Sequence, residues 1–415
     1  MASSAATFRT EIDGPAADPL ADWSLPGWLY HDPEYFAVEM ERVIRPSWQI
    51  VCHVNEIPNA GDWRTLDYLG ESVIVIRGQD GEVRAFTNVC RHRAMRLVEG
   101  PAGCAKKLVC PYHAWTYDAD GRLTGVPLRS EYPALKLEEN GLHPVALDLW
   151  RGFAFVCLDD RGFPKPSEMM APFEEEIAPY RFEAMQPMGA VRHRPRAVNW
   201  KNVGDNYSDN LHIPVAHAGL TRLVGNTYRI EAHGWADRLC GEVGRNEKQN
   251  FWERFYRTHL PRVDHLSKEA HGRWLYYKLW PNMAFDIYAD QIDFMQWIPT
   301  SPTTCLLREV SYCLPDAFVP EDRRREMKLA RYANWRINRV VNAEDTWLIG
   351  QVQHGMASRS YAVGPLATSE VCLRSFARKI RTLSPEARLP MAPKPGWSSQ
   401  QAHPQPLPPA GGESG

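Results

Sequence analysis

Two short segments that each pair a cysteine with a histidine constrain this chain more than any other feature of its sequence. The first pair is Cys90 with His92 and the second is Cys110 with His113, in the pattern C-x-H-x17-C-x2-H. Thiolates and imidazoles are metal ligands, and a centre bound by both pairs would hold two loops together. The spacing therefore predicts a single metal centre clasped between two loops.

The mixed composition of each pair indicates what kind of centre this is. Structural zinc sites usually begin with two cysteines and end with two histidines, so that each pair is of one kind. Mixed pairs instead suit a [2Fe–2S] cluster that has two thiolates on one iron and two imidazoles on the other, because each loop then contributes one ligand to each iron. We predict this cluster, and zinc is the alternative.

The composition argues against several other classes of protein. The formal net charge of −2 provides no basic field for nucleic acid, and no run of about 18 apolar residues predicts a membrane span. The N-terminal residues lack the charged and apolar regions of a secretory signal, and nine scattered cysteines do not resemble a secreted disulfide framework. We therefore expect a cytoplasmic protein that binds neither nucleic acid nor a membrane.

The chain divides into four segments by its patterns. Residues 1–45 form an N-terminal segment with a helix, expected to pack on the later domain. Residues 46–160 contain short β-type runs between turn signals, which predicts an all-β domain with both Cys/His pairs on its loops. Residues 161–390 mix helices with strands and predict an α+β domain with an antiparallel sheet. Residues 391–415, rich in Pro, Gly, Ser and Gln, predict a disordered tail.

A second group of candidate metal ligands lies in the segment NWKNVGDNYSDNLHIPVAHAGL. It contains the pattern D-x2-H-x4-H, formed by Asp209, His212 and His217. On a straight helix the rings of two histidines five residues apart would point about 140° apart. Pro214 breaks the helical hydrogen bonds between them, so the chain can bend and direct both rings at one point. Two histidines need one carboxylate to complete a mononuclear non-haem Fe(II) site.

The carboxylate can come from a segment that is distant in sequence. The segment NAEDTWLIGQVQHG offers Glu344 and Asp345 on a predicted helix. An acidic pair of this kind is also common at the N-terminus of a helix, where it has no metal to bind. The residues alone do not choose between the two carboxylates, so both remain candidates.

With these motifs in view, nearly the whole chain resembles the catalytic α-subunits of the Rieske non-haem iron oxygenases, the aromatic-ring-hydroxylating family. Glu344-Asp345 followed by Gln353 matches the ED-x7-Q helix of that family. The segment EDTWLIGQVQHG is similar to the homo-oligomeric branch that contains choline-monooxygenase-like and demethylase members. The resemblance implies an α+β fold in which an all-β Rieske [2Fe–2S] domain is inserted near the N-terminus of a helix-grip (START-like) catalytic domain.

One departure from the family's pattern concerns the two cluster loops. The family usually has glycine after each motif, in CxHRG and CPYHGW, whereas this chain has Ala94 and Ala114. Alanine is small, but it is disfavoured wherever the backbone needs a positive φ. Neither loop has the additional cysteine of respiratory Rieske proteins, so the loops resemble the oxygenase and ferredoxin type.

The resemblance also assigns cofactors to residues. It implies one Rieske [2Fe–2S] cluster and one mononuclear Fe(II) per chain. The cluster is assigned to the two Cys/His pairs, namely Cys90, His92, Cys110 and His113. The mononuclear iron is assigned to two histidines and one acid, namely His212, His217 and Asp345, with Glu344 as the alternative to Asp345.

The same resemblance implies an arrangement of subunits and partners. A separate reductase or ferredoxin would supply electrons, since no flavin or nicotinamide fingerprint is visible in the chain. Asp209 would link His212 to the partner subunit's His113, so that the cluster of one chain serves the iron of the next. This arrangement predicts a ring of identical chains, most simply a homotrimer.

The function that follows is that of a terminal oxygenase. We predict that it uses O2 to demethylate or monohydroxylate a small organic substrate, either a quaternary ammonium or an aromatic compound. A dioxygenase that cis-dihydroxylates an arene is the alternative, and a Rieske electron carrier is a weaker one. Aromatic residues on two strand segments are predicted to form the wall of the substrate pocket, where they could bind a cation by cation–π attraction. The alternative is that they are ordinary core residues. They are Trp274, Tyr276, Tyr277, Trp280, Phe285, Tyr288 and Trp297.

Overall fold

The computed structural model describes residues 18–398, in which antiparallel strands are combined with helices. The strands are β1 (Gln49–His53), β2 (Asp62–Tyr68), β3 (Glu71–Arg77), β4 (Val83–Thr87), β5 (Ala102–Cys104), β6 (Leu108–Val109), β7 (Thr116–Tyr117), β8 (Leu123–Gly125), β9 (Ala146–Trp150), β10 (Phe153–Cys157), β11 (Gln186–Pro187), β12 (Arg192–Arg196), β13 (Arg229–His233), β14 (Ala236–Glu242), β15 (Arg273–Leu279), β16 (Met283–Ile287), β17 (Gln291–Ser301) and β18 (Thr304–Cys313). The α-helices are α1 (Pro33–Glu39), α2 (Pro166–Met170), α3 (Glu174–Ile177), α4 (Trp200–Ser208), α5 (Ile213–Ala216), α6 (Ala218–Val224), α7 (Phe251–Thr258), α8 (Lys268–His271), α9 (Arg324–Met356) and α10 (Val371–Leu383). The predicted α+β class is confirmed.

Strands β1–β10 form the first, all-β part of the fold. They make three small sheets with the strand orders β1-β10-β9, β4-β3-β2-β5 and β6-β7-β8. Strand β3 is central and contributes to two cores, because successive residues of a strand face opposite sides. Val73 and Val75 belong to the main core of the chain, whereas Ile74 and Ile76 belong to a second core around the Cys/His loops. The loops β4–β5 and β6–β7 are therefore held by an apolar core of their own.

Strands β11–β18 form one eight-stranded antiparallel sheet. Its order is β11-β18-β17-β16-β15-β14-β13, and β12 also pairs with β18. Side chains of one face, such as Tyr277 and Phe285, pack in the main core. Side chains of the other face line a large cavity together with helix α9, which is 33 residues long. The sheet and this helix thus provide two walls of the same cavity.

A buried glutamine on α9 joins three parts of the chain. Gln353 Oε1 accepts hydrogen bonds from the backbone N–H of Asn199, at 2.6 Å, and from Asn202 Nδ2, at 2.8 Å. Gln353 Nε2 donates to the carbonyl oxygen of Tyr30, at 3.0 Å. Because Asn199 is the N-cap residue of α4, Gln353 connects α9 both to α4 and to the N-terminal segment.

The N-terminal segment also packs on α4 through buried polar groups. Lys201 Nζ lies 2.8 Å from Glu39 Oε1, and both side chains are completely buried. The Tyr30 hydroxyl donates to Asp205 Oδ2 at 2.6 Å. A buried ion pair is costly to break, because removing one partner leaves the other charge without compensation. These contacts fix the helix that precedes Asp209.

The two parts of the fold meet where β1 lies against the large sheet. Gln49 Nε2 donates to Asn282 Oδ1 at 3.0 Å, and Gln296 Nε2 donates to Gln49 Oε1 at 2.7 Å. The guanidinium of Arg308 donates to the carbonyl oxygen of Ile50 at 3.0 Å. Hydrogen bonds of buried polar side chains therefore join the two parts. They lie within an apolar core that is continuous across the contact.

The first residues of the predicted tail make defined contacts in the structure. The Gly396 N–H donates to Glu34 Oε1 at 2.7 Å, and the indole of Trp397 packs edge-on against Trp28. These contacts hold Gly396 and Trp397, which belong to the predicted tail, against the N-terminal segment. The Pro/Gly/Ser composition of the segment does not reveal them, because their partners Glu34 and Trp28 are distant in sequence. Residues 399–415 lie outside the described residues, as do residues 1–17.

The other predicted domain boundaries, at residues 45 and 160, stay predictions. Among the described residues, no helix combines the length and the apolar character needed to cross a bilayer.

Candidate active site

The loops β4–β5 and β6–β7 have matching backbone hydrogen bonds. In the first, the carbonyl oxygen of Cys90 accepts from the N–H of Ala94 at 3.1 Å, and in the second that of Cys110 accepts from Ala114 at 2.9 Å. Each loop therefore turns tightly directly after its cysteine. Both cysteines are almost fully buried, in the apolar core around these loops.

The two alanines that follow these motifs have left-handed backbones. The φ angle is +57° at Ala94 and +55° at Ala114. A residue with a Cβ in this backbone region is destabilised by roughly 1 kcal/mol relative to glycine, because its Cβ approaches the carbonyl oxygen that follows it. Glycine in the family pattern is therefore explained by the loop geometry, and this chain tolerates alanine with some strain.

We expect Ala94→Gly and Ala114→Gly each to stabilise the loops by about 1 kcal/mol. The measurement is the temperature at which the cluster's visible absorbance is lost, which should rise for each variant. Ala85→Gly is the control, because Ala85 lies in strand β4 and is not among the residues with a positive φ. It should lower that temperature, and an equal rise in all three variants would contradict the explanation.

The two histidines of these loops face each other, with ring centroids 4.5 Å apart. The Nδ1 atoms of both His92 and His113 are buried, and neither has a hydrogen-bond partner among the described residues. Buried ring nitrogens are normally paired, because an unpaired one loses its hydration without replacement. Coordination through Nδ1 would satisfy both atoms. Two buried thiols and two unpaired imidazole nitrogens fit a histidine-ligated [2Fe–2S] cluster.

The second group of ligands lies where helix α4 ends. Asp209 is the C-cap residue of α4 and has an extended backbone, and His212 is the N-cap residue of α5. The helix is thus interrupted before Pro214, which occupies the first turn of α5, where a missing N–H costs nothing. His217 follows directly, between α5 and α6. The predicted bend is present, but Pro214 starts the new helix and does not itself break an old one.

Three of the predicted iron ligands converge on one point. The Nε2 atoms of His212 and His217 are 3.1 Å apart. Asp345 Oδ1, on helix α9, lies 2.9 Å from His217 Nε2 and 3.6 Å from His212 Nε2. One ligand atom from each of the three residues lies within 4.8 Å of the others. Two imidazoles and one carboxylate arranged in this way fit a non-haem iron that keeps open coordination positions.

The other ring nitrogen of each histidine meets a second carboxylate. Asp209 Oδ2 lies 3.0 Å from His212 Nδ1, and Glu344 Oε2 lies 2.7 Å from His217 Nδ1. Such partners orient a metal-binding imidazole and fix which nitrogen carries the proton. The structure therefore gives Glu344 and Asp345 different positions around the ring of His217.

The carboxylates dominate the electrostatics of this group. Burial lowers the pKa of His212, but hydrogen bonds with Asp209 and Asp345 outweigh it and raise that pKa to about 9. Burial raises the pKa of Asp345, yet the two histidines outweigh it and hold that pKa below its usual value. Three carboxylates around two imidazoles give the site an excess of negative charge, which a divalent cation would neutralise.

A cavity of about 1070 Å³ adjoins these ligands. His212, His217 and Asp345 line it at one side, and the large sheet lines it at another. Four rings form a continuous aromatic group on its wall, with centroids 6.0–6.5 Å apart in neighbouring pairs. These rings are Tyr207, Tyr228, Tyr276 and Trp297.

Only two of the predicted pocket residues, Tyr276 and Trp297, line this cavity. Tyr277 and Phe285 are register partners on the opposite face of the sheet, and both belong to the main core. Trp280 lies beyond the end of β15, where its indole N–H donates to Ser47 Oγ. For Tyr277 and Phe285 the prediction is wrong because a strand directs alternate side chains to opposite faces. For Trp280 it is wrong because the residue lies outside the strand and packs in the main core.

Trp274 and Tyr288 are also wrongly predicted as pocket residues, for a different reason. They belong to a third buried cluster, together with Tyr256 of α7. The Trp274 indole donates to the Tyr256 hydroxyl at 3.0 Å, and the rings of Trp274 and Tyr288 are 5.1 Å apart. Helix α7 thus covers this part of the sheet, which no local pattern in β15 indicates.

Two family models match the sequence. A model described as Rieske [2Fe-2S] domain matches residues 47–137, and a model described as Ring hydroxylating alpha subunit (catalytic domain) matches residues 182–386. The chain belongs to the Rieske non-haem iron oxygenases. The predicted recognition, enzyme class and pair of cofactors are thereby confirmed, since both ligand groups fit the cofactors of this family.

The oxygenase is similar to two groups of relatives. The glycine betaine monooxygenase oxygenase subunit of Chromohalobacter salexigens is 38% identical over 201 residues, which are 48% of this chain and 44% of that one. The alignment thus spans less than half of that relative. The carnitine monooxygenase oxygenase subunit of Escherichia coli K12 is 28% identical over 349 residues, which are 83% of this chain and 87% of that one.

Solved structures show the same fold. A quaternary ammonium Rieske monooxygenase in complex with an inhibitor is 25% identical, with a TM-score of 0.71 over 87% of this chain and 96% of that one. Naphthalene 1,2-dioxygenase from Rhodococcus is 20% identical, with a TM-score of 0.71 over 92% of this chain and 98% of that one. The Rieske oxygenase fold is thus common to both, although the two proteins act on chemically different compounds.

Two aromatic and two acidic residues are among the cavity residues that sequence reasoning missed. Tyr207 lies two residues before Asp209, and Tyr228 lies just before β13. Asp286 and Asp293 line the cavity and occur in the largely apolar segments MAFDIY and DFMQWIP. A charged residue within such a segment indicates a candidate site residue, because a carboxylate in a buried sheet needs a partner.

Proposed function

We propose that this chain is the terminal oxygenase component of a monooxygenase that demethylates or hydroxylates a small quaternary ammonium compound. The observation that supports this most is the group of four aromatic rings on the wall of a cavity that also holds the iron ligands. Tyrosine and tryptophan faces attract organic cations. The names of the relatives, carnitine monooxygenase and glycine betaine monooxygenase, point to the same substrate class.

The reaction balances for N-demethylation. One oxygen atom of O2 enters a methyl C–H bond, and the other leaves as water with two electrons and two protons. The resulting N-hydroxymethyl group loses formaldehyde and a proton, which leaves a tertiary amine. The iron would supply O2 activation and the cluster would supply single electrons. The protein's own groups hold the methyl group beside the iron ligands and keep bulk water out of the cavity.

We assign Asp345 as the third iron ligand and Glu344 as the residue that orients His217. Asp345 Oδ1 lies on the Nε2 side of both histidines, and these nitrogens face each other at 3.1 Å. Glu344 meets the opposite nitrogen of His217 and thereby favours Nε2 as the ligand atom. Asp209 stands in the same relation to His212.

We further propose that identical chains form a ring of three, in which the partner's His113 approaches Asp209. Exposed apolar side chains at both places support a contact between them. Val215 is 87% exposed close to Asp209, and Tyr112 is 54% exposed next to His113. A contact between the two places would cover both side chains. The molar mass in solution, from light scattering, tests the trimer. A monomer at micromolar concentration would exclude it.

One partner, the electron donor, remains to be supplied from outside the chain. We propose a separate reductase or ferredoxin as the source of electrons, as the relatives' description as oxygenase subunits supports. We propose a cytoplasmic location, because none of the nine cysteines, all within the described residues, forms a disulfide, as a reducing compartment would require.

The test of the proposed function is a substrate screen with a surrogate reductase. Substrate-dependent O2 uptake and formaldehyde release are measured with glycine betaine, carnitine and choline, and with naphthalene and indole as neutral arenes. We expect formaldehyde in amounts that match O2 uptake with at least one of the cations. A cis-diol from an arene, without formaldehyde from any cation, would establish the dioxygenase alternative instead. No uptake with any compound, in a protein with full iron content, would point to an electron carrier.

A further inference from the structure

Two carboxylates lie side by side on the cavity face of the sheet. Asp286 of β16 and Asp293 of β17 are direct register partners. In the same row, Tyr276 of β15 is the partner of Asp286, and Ser311 of β18 is the partner of Asp293. Paired residues of neighbouring strands project from the same face, and like charges opposite each other are destabilising. The pair therefore requires a physical explanation.

Neither carboxylate has a cationic partner. Asp286 Oδ1 accepts a hydrogen bond from the Tyr207 hydroxyl at 2.7 Å, and Asp293 Oδ1 accepts one from Gln291 Nε2 at 2.8 Å. Within residues 18–398, no lysine, arginine or histidine forms an ion pair with either acid, although ion pairs are common elsewhere on the sheet. Buried charges are normally paired, because desolvation is expensive. A cation from outside the chain would complete the site.

The neighbouring charges do not supply that cation. Glu309, on the same face of β18, is already paired with Arg194 of β12, 3.0 Å away. Arg192 is exposed at the rim of the cavity, where its charge lowers the pKa of Asp293 only weakly. Burial nevertheless raises the pKa of Asp293 to about 6 and that of Asp286 to about 8, where the charge of Asp293 adds to the shift. Near neutral pH the pair thus retains about one proton and one negative charge.

Aromatic rings surround the same carboxylates. Tyr207 donates to Asp286, and its ring lies 6.5 Å from Tyr276 and 6.0 Å from Trp297 between centroids. Tyr228 connects this place to the iron ligands. Burial raises the pKa of Tyr228, and the charges of Asp286 and, more weakly, Asp345 add to the shift. Tyr228 lines the same cavity as the iron ligands, and its ring centroid lies 6.1 Å from that of Tyr276.

We propose that Asp286 and Asp293, together with the rings of Tyr207, Tyr276 and Trp297, bind the positive charge of an organic ammonium monocation. The pair selects the substrate by charge, and the rings enclose its methyl groups. Asp286 and Asp293 are thus specificity-determining residues for the proposed reaction, and the inference rests on that proposed function. A neutral arene would leave the carboxylates desolvated and without a counter-ion.

A metal ion is a poorer occupant of this place. Among the described residues, the only cluster of three or more His, Cys, Asp or Glu side chains with metal-binding spacing is His212, His217 and Asp345. Hard cations such as Ca²⁺ take six to eight oxygen ligands, which a pair of carboxylates beside aromatic rings does not provide. An alkylammonium matches both the acids and the rings.

The experiment measures binding without turnover, by calorimetry on the full-length oxygenase loaded with both cofactors, under anaerobic conditions. The probes are choline and its uncharged carbon analogue 3,3-dimethylbutan-1-ol. We expect choline to bind roughly tenfold or more tightly than the analogue, since charge and cation–π attraction act only on choline. Asp293→Asn should remove most of this preference, because Asp293 carries the negative charge of the pair near neutral pH, while leaving the affinity for the analogue unchanged.

The controls separate recognition from folding. Asp286→Asn is the second variant and should also lower the preference, by a smaller factor, because Asp286 keeps its proton near neutral pH until the cation binds. Glu231→Gln, a solvent-facing acid on the edge strand β13, should leave the preference unchanged. Equal affinity for the two probes in the unmodified enzyme would overturn the proposal, as would a full preference for choline in the Asp293→Asn enzyme.

Proton release provides an independent readout that a merely structural carboxylate would not give. Because the cation binds the ionised pair, it should displace the retained proton, and the binding enthalpy at pH 7 should depend on the buffer's ionisation enthalpy. Affinity should rise with pH and level off above about 8, the pKa of Asp286. A preference for choline with no formaldehyde from any cation would retain this site and reject the proposed demethylation.

Discussion

Replacing Asp209 by alanine is expected to reduce coupled turnover by roughly a hundredfold or more while both cofactors stay bound. Asp209 is not among the three converging ligands, so its loss leaves their atoms in place. It does contact His212 Nδ1 at 3.0 Å, and its side chain is 22% exposed. A group so placed can touch an iron ligand on one side and a neighbouring subunit on the other.

The measurement combines metal content with single-turnover kinetics. Iron should remain at three atoms per chain, and the reduced cluster should be reoxidised far more slowly when substrate and O2 are added. Asp209→Asn is the matched variant, because it keeps the shape and an acceptor oxygen without the charge, and should show an intermediate rate. Near-normal coupled turnover in Asp209→Ala would refute the bridging role.

Replacing Asp345 by alanine is expected to remove the mononuclear iron. The iron content should fall from three to two atoms per chain, since two histidines alone give only a weak site. Glu344→Gln is the matched control on the neighbouring residue of the same helix. It should keep three irons but bind the mononuclear iron about tenfold to a hundredfold more weakly, because it alters only the partner of His217 Nδ1.

Iron analysis after dialysis against a graded series of chelator concentrations distinguishes the two variants. The visible spectrum of the cluster should be unchanged in both, since the cluster ligands lie in separate loops. Loss of iron from Glu344→Gln, with full retention in Asp345→Ala, would exchange the two assignments and favour Glu344 as the ligand.

The metal ligands could be predicted from the sequence because their chemistry is local. Cys90 and His92, or His212 and His217, lie within a few residues of each other, so spacing and residue type already limit what they can bind. The choice between Glu344 and Asp345 was not local. It depended on which face of α9 meets the histidines, and only the packing of that helix on the rest of the chain determines this.

The pocket could be predicted only in part. Tyr276 and Trp297 line the cavity, but Phe285 is on the opposite face of the sheet, and helix α7 covers Trp274. Aromatic content indicates that a strand is buried without indicating what buries it. The two carboxylates were missed for a related reason: each looks unremarkable alone, and only the register of β16 and β17 brings them together.

The hydrogen bonds of Gln353 restrict the number of residues that can separate it from Asp345. This amide is bound to the start of the helix that leads to the histidines, and it lies eight residues after Asp345 on α9. Each residue added to or removed from that interval would turn the carboxylate by about 100° around the helix axis relative to the amide. Substitutions between the two positions can therefore be accommodated, whereas a single-residue insertion or deletion would separate the acid from the histidines.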